Sequence, residues 1–411
     1  MNSSLEHVGP IVIRGQVVTA EEVLDDGVVV LEGERIAWVG AFRAAARTPW
    51  AQQVGEAPAP ADGTIVLPGL VDLHNHGGGG ASFPDATDAA TAQLAIDEHR
   101  RHGTTHLVAS LVTASPDTLR ARVSLLTHLA EEGELAGIHL EGPFLATARC
   151  GAHDPALILA PDPALTAELL ELGRGHVVTM TIAPERAGIT GDDGVTAALV
   201  AGGALPSFGH TDASSPQMHA ALDDAGAHLA GPRARSERAT VTHLFNGMRP
   251  IHHREPGPVP PALARARDGR LVLELIADGT HLAPELVTDL FALVGAENIA
   301  LVTDAMAAAG MPDGDYRLGS QEVRVRGGVA RLAHADSIAG GTAHLIDVVR
   351  TTVQAGVPLR EAVLAASLTP AGVLGRERIG ALRVGYRADV VVTDADLWVQ
   401  QVIRGARPVD S

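Results

Sequence analysis

The chain has 411 residues, 46% of them hydrophobic, enough for one large core or two, and a formal net charge of −18 at pH 7. That charge argues against a nucleic-acid partner, and the 31 basic residues other than histidine are all arginine, which excludes lysine Schiff bases and P-loop lysines. Cys150 is the single cysteine, so intrachain disulfides and thiolate-held structural zinc are also excluded, and any metal must be held by histidines and carboxylates.

Residues 11–18, 28–31 and 35–40 are short β-branched runs divided by glycine and acidic turns, which predicts small strands. The Ala/Pro-rich stretch 44–63 is predicted as surface loop. Eight apolar runs follow near 66–74, 105–110, 136–141, 177–183, 205–210, 240–245, 271–277 and 299–304, with Ala/Leu-rich helical segments between most of them. Alternating strands and helices imply parallel pairing, and eight units imply a closed (β/α)8 barrel, here over residues 65–378. Segment 213–230 is predicted helical, and 230–239 as a solvated loop at the barrel face away from the mouth. Strand-like runs return at 380–393 and 399–403. No apolar run reaches membrane-spanning length and the first residues lack signal-peptide order, so the expectation is a cytoplasmic protein with no membrane partner.

Polar residues end several of the eight runs. His74 and His76 stand two apart, so a strand presents both to one side, where they can grip one ion. Glu141, His210, His243 and Asp304 end other runs. In a barrel the strand C-termini share one mouth, which brings these residues together. Asp72 has the parity of both histidines and is read either as a partner behind them or as a group closing the strand through backbone hydrogen bonds.

The set Pro68-Gly-Leu-Val-Asp-Leu-His-Asn-His-Gly-Gly-Gly-Gly80, Leu140-Glu-Gly-Pro-Phe144, Gly209-His-Thr-Asp212, Thr242-His-Leu-Phe-Asn-Gly-Met248, Arg254-Glu-Pro-Gly257, Asp278-Gly-Thr-His281 and Val302-Thr-Asp-Ala-Met306 resembles the amidohydrolase superfamily and, within it, the N-acetylglucosamine-6-phosphate deacetylase family. The resemblance implies a distorted TIM barrel flanked by a small β-sandwich built from both ends, residues 1–64 and 379–411. It implies Glu141, His210 and His243 as principal ligands of a divalent ion, most simply Zn²⁺, with an open position for water. His74 and His76, bridged by Glu141 and close to Asp304, would build a second site, so one or two ions are expected. With no lysine, a carboxylated-lysine bridge is impossible and a glutamate bridge takes its place.

By the same resemblance Asp304 is the general base and later acid, and His153 polarises the acetyl carbonyl. Asn246, Gly247 through its N–H, Arg254 and His281 would bind phosphate, and Ile338 would contact substrate. Gly247 stands where alanine is expected. Arg254 would reach the neighbouring subunit's site, making a homodimer the working unit. His252 and His253 are read as solvated loop residues, and His99, His102, His106, His176, His219, His228, His334 and His344 as surface or satisfied interior groups. The implied activity is hydrolysis of the acetamide of N-acetylglucosamine 6-phosphate, in amino-sugar catabolism or wall recycling. The alternatives are deacetylation of the galactosamine epimer and a non-catalytic sugar-phosphate-binding regulator.

Overall fold

The computed structural model describes residues 9–410; residues 1–8 and 411, which fall in the expected terminal domain, lie outside the described residues. Eight strands form the central sheet: β1 (Leu70–Asn75), β2 (Thr104–Leu111), β3 (Gly137–Glu141), β4 (Val177–Ile182), β5 (Leu205–Phe208), β6 (Ala239–Val241), β7 (Leu271–Leu275) and β8 (Ile299–Leu301). Neighbours pair in parallel in sequence order. All eight are buried along their whole length, as strands covered on both faces must be, and this is why they read as continuous apolar runs. No ladder joins β8 to β1. The barrel closes instead just beyond β8, where Asp304 N–H donates to the His74 carbonyl (2.9 Å) and His76 N–H donates to the Ala305 carbonyl (2.7 Å). The closing seam therefore runs through the residues that end the first and last strands.

Helices return the chain on the outside, and side-chain caps set where several begin. Asp88 caps Ala89–Arg101, Ser115 caps Pro116–Glu131 and Asp162 caps Pro163–Leu172. Ser214 forms a capping box with Gln217 at Ser215–Leu229, in the segment predicted helical. Each cap contributes about 1 kcal/mol by satisfying an otherwise orphaned N–H.

The run 66–74, expected as one barrel strand, is two. Ile65–Pro68 pairs in parallel with Gln16–Val17 and antiparallel with Val390–Thr393, so it belongs to the terminal sheet. Gly69 divides the two, and a Cβ there would stand 2.2 Å from Thr105 Oγ1. Among the described residues, the two ends of the chain form one seven-stranded sheet. It curls until Ile36 N–H donates to Tyr386 O and Gly385 N–H donates to Ile36 O, enclosing Ile13, Val29, Ile36, Val66, Val390 and Ile403 as a sandwich would. The stretch 44–63 is not simply a loop. A 3-10 helix at Phe42–Arg47 and an α-helix at Ala51–Glu56 place Ala45 and Val54 over Val28 and Val30, covering the outer face of the sheet. Within 380–393 only Val390–Thr393 is strand, because Gly380 (φ 75) and Gly385 (φ 83) turn the chain through the left-handed region.

Loop 230–239 lies where expected, but Arg235 also ties it down by donating to the carbonyls of Gly203 (2.9 Å) and Gly175 (2.6 Å) ahead of β5 and β4. An unexpected three-stranded antiparallel sheet, Gly314–Leu318, Gln321–Arg326 and Val329–Leu332, is inserted after β8. No helix among the described residues is long and apolar enough to cross a membrane.

Candidate active site

At the mouth, Glu141 stands between two pairs of histidines. Its Oε1 is 3.0 Å from His210 Nε2 and 2.9 Å from His243 Nε2. Its Oε2 is 3.1 Å from His76 Nε2 and 3.6 Å from His74 Nε2. Asp304 Oδ1 reaches His74 Nε2 at 3.3 Å and His76 Nε2 at 3.2 Å. Within the pairs the Nε2 atoms face each other, at 3.1 Å for His74 and His76 and 3.2 Å for His210 and His243.

The outer ring nitrogens show which protons these rings carry. His210 Nδ1 faces the Arg149 carbonyl (2.8 Å), His76 Nδ1 the Ser110 carbonyl (3.1 Å) and His74 Nδ1 the Glu274 carboxylate (3.2 Å). Each partner can only accept, so Nδ1 donates, and a ring that holds an ion would offer it the lone pair of Nε2. Against their burial, Asp304 and Glu141 raise the pKa values of His74 and His76, so the convergence calls for positive charge, as protons on these rings or as a metal ion. Ligand atoms about 2.0–2.2 Å from a tetrahedral ion stand roughly 3.3–3.6 Å apart, close to the spacing here. The donor set thus fits a divalent metal ion.

His153 has the opposite tautomer. Thr113 N–H donates to its Nδ1 (3.2 Å), so the proton sits on Nε2, 3.3 Å from Glu141 Oε2. Burial lowers its pKa to about 4 despite Glu141, keeping the ring a neutral donor. Burial favours the neutral form of Asp304, yet His74 and His76 hold its carboxyl below the usual range. His210 (φ 46), His243 (φ 25) and Asp304 (φ 47) all adopt left-handed backbone, a strain of about 1–3 kcal/mol each that concentrates at functional sites.

His76, Glu141, His153, His210, His243 and Asp304 line a cavity of about 390 Å³ with Asn246, Gly247, His281 and Ile338 on its walls, and His74 lies buried behind it. Gly247 has φ 58, and a Cβ there would lie 2.8 Å from His210 Nδ1, which favours glycine over the expected alanine. His281 Nδ1 is 2.8 Å from Asp278 Oδ2. Burial works against its charge, but the Asp278 carboxylate outweighs it and raises the pKa, leaving Nε2 as a donor. Arg254 is not on these walls; it lies on an exposed loop with Nη1 2.7 Å from His253 Nε2. A larger cleft of about 880 Å³ at the barrel's other end holds no comparable convergence, and its Arg265 is already paired with Asp223.

Asp72 closes the strand. Its carboxylate accepts from His74 N–H (3.3 Å) and Thr303 Oγ1 (2.6 Å) and touches neither imidazole of the pair. Three contributors were not among the sequence candidates. Glu274, buried in β7, orients His74; its signal is a lone carboxylate inside Leu271-Val-Leu-Glu-Leu. Arg331, from the inserted sheet, lines the cavity with Nη1 on the Asp336 carboxylate (3.2 Å). Asp212 joins Arg149 (2.8 Å) and Arg249 (2.7 Å), tying the loop that leads to His153 to the loop after β6.

The amidohydrolase family profile matches residues 65–409. N-acetylgalactosamine-6-phosphate deacetylase of Escherichia coli O157:H7 is 35% identical over 347 residues, covering 83% of this chain and 86% of that one. N-acetylglucosamine-6-phosphate deacetylase of Bacillus subtilis (strain 168) is 34% identical over 394 residues, covering 93% and 92%. The crystal structure of N-acetyl-D-glucosamine-6-phosphate deacetylase from Mycobacterium smegmatis superposes with a TM-score of 0.84 at 40% identity, covering 97% of this chain and 100% of that one. The chain belongs to the amidohydrolase family, among the deacetylases of 6-phosphorylated N-acetylhexosamines.

Proposed function

We propose that this chain hydrolyses the acetamide of N-acetyl-D-glucosamine 6-phosphate to D-glucosamine 6-phosphate and acetate. The observation that carries the reading is one cavity that holds the Glu141-centred donor set, the carboxylate of Asp304 and the neutral His153, with Asn246, Gly247 and His281 beside them. Glu141, His210 and His243 would hold the main ion; His74 and His76, with Glu141 and Asp304, would hold a second. Zn²⁺ suits this mixture of imidazole and carboxylate donors. When bound, such an ion supplies Lewis acidity, lowering the pKa of water towards neutrality and polarising a carbonyl.

The protein's own groups do the rest. Asp304, ionised, takes the proton of the attacking water and returns it to the amide nitrogen, which leaves only when protonated. His153 donates its Nε2 proton in a hydrogen bond to the acyl oxygen as negative charge develops there. The side chains of Asn246 and His281 and the N–H of Gly247 receive the phosphate, with His281 held charged by Asp278. Arg254, exposed and away from its own chain's cavity, supports a homodimer in which it serves the partner's phosphate site. A phosphorylated substrate supports placement in the cytoplasm.

One relative acts on the galactosamine epimer, which favours that sugar as the second reading. Acetate release from the two epimers separates the readings, and equal rates with unphosphorylated N-acetylglucosamine would overturn both. Arg254→Ala should cost roughly 10–150-fold in kcat/KM on the phosphorylated substrate alone, for a charge-assisted contact of about 1.5–3 kcal/mol. Mixing Arg254→Ala with Asp304→Asn subunits should regenerate some intact sites if the arginine crosses the dimer; demonstrated heterodimers without recovery would place it in its own chain's site.

A further inference from the structure

The active cavity has an apolar corner beside His153. Val112, Ala152 and Leu318 line it and belong to one apolar cluster. The backbone at 112–113 is fixed to the catalytic ring, since Thr113 N–H donates to His153 Nδ1 (3.2 Å). Val112 also lines a second cavity of about 300 Å³, walled by Pro84, Leu119, Leu157 and Gly319. Gly319 backs directly onto this valine, because a Cβ there would stand 2.8 Å from Val112 Cγ2. Val112 thus lines both cavities.

We propose that Val112, Ala152 and Leu318 form the subsite for the acyl methyl, and that Val112 is the partition that sets acyl-chain length. The inference rests on the deacetylase reading. If the acyl oxygen meets His153 Nε2 and the amide nitrogen leads through the sugar towards Asn246 and His281, the remaining substituent of the acyl carbon faces the apolar corner. A methyl fits against Val112, whereas a longer chain must displace it. Removing the two valine methyls would open the corner towards the Pro84, Leu119 and Leu157 side of the second cavity, which has room for a propanoyl or butanoyl chain. The reaction keeps its balance: the amide C–N bond breaks, the water oxygen joins the acyl carbon, a proton goes to the amine, and butanoate leaves in place of acetate.

The test compares kcat/KM on N-acetyl-, N-propanoyl- and N-butanoyl-glucosamine 6-phosphate. Wild type should prefer acetyl, with each added methylene costing on the order of 10-fold or more in a fitted pocket. Val112→Ala should narrow the acetyl-to-butanoyl ratio by about 10-fold or more, and adding Leu157→Trp, which fills the second cavity, should restore it. Val112→Ile keeps the core filled and should steepen the preference. An unchanged ratio in a folded Val112→Ala protein, no steepening in Val112→Ile, or equal wild-type rates on acetyl and butanoyl substrates overturns the proposal. Wild type that releases no acetate from the N-acetyl substrate overturns the underlying reading, a result distinct from an unchanged ratio.

Discussion

Two histidine–carboxylate clusters lie close together in this barrel, and they solve the same electrostatic problem differently. At the mouth, His74, His76, His210 and His243 spend at least three outer nitrogens on fixed acceptors and turn their Nε2 atoms towards Glu141. The second cluster, Glu98, His102 and His344, packs behind Gly79. There the His102 and His344 rings stack with centroids 3.6 Å apart and planes at 11°. His102 Nδ1 donates to the Glu98 carbonyl (2.8 Å), while His344 lies between two carboxylates, Glu98 at 2.8 Å and Asp347 at 3.2 Å. An ion in the plane of one stacked ring would lie out of the plane of the other, so this geometry suits a proton and not a metal. The direction of the lone pairs, more than the count of histidines, separates the two.

The largest expected effect breaks the first cluster. Glu141→Gln should abolish activity and most bound metal, whereas Glu98→Gln should leave the metal content intact. Elemental analysis of the two proteins decides it, and full metal in Glu141→Gln would refute the cage. Next comes Asp304→Asn, which keeps the shape of the side chain but cannot take a proton. It should bind substrate and lose about 10²–10⁴-fold in turnover, and a loss under threefold would remove Asp304 from proton transfer. Glu274→Gln sharpens the comparison one step out. Without the carboxylate holding His74 Nδ1, metal affinity or activity should fall by about 10–100-fold, measured by metal titration.

The barrel and the convergence of His74, His76, Glu141, His210, His243 and Asp304 were legible because each of these residues ends an apolar run, and the eight runs become strands whose ends share one mouth. Glu274 was harder, since it lies within a strand and its partner His74 is 200 residues away. The inserted sheet was missed, although the alternation in Val323-Arg-Val-Arg and the Gly327-Gly328 turn (φ 57 and 74) form a hairpin pattern. Nothing in that pattern says that the hairpin folds over the mouth and brings Arg331 into the cavity. His344, read as a surface or satisfied interior residue, is the latter, but Glu98 lies 246 residues away and spacing alone could not name it. The split of the first run at Gly69 was hidden because apolar character continues through both sheets.

The smallest effect on activity should come from the second cluster, where a proton does the work of the ion. Burial disfavours charge on His344, but Asp347 and Glu98 outweigh it and raise its pKa above the ordinary 6.5. The His344 contact in turn lowers the Glu98 pKa to about 2 against its burial. The raised histidine contributes stability that is fully present below about pH 6.5 and lost as pH rises through its folded pKa. The depressed glutamate contributes stability present above about pH 4.5 and lost as pH falls towards its folded value. Both are therefore in place only between these limits. His344→Gln should cost about 1.5–3 kcal/mol at pH 6, the range for a hydrogen bond to a charged group, with metal content unchanged. At pH 9 the gap to wild type should be smaller than at pH 6, because wild type gives up its own proton as pH rises through the folded pKa. Denaturant unfolding at the two pH values measures it; a gap equal at both would mean that His344 acts through packing and helix capping alone.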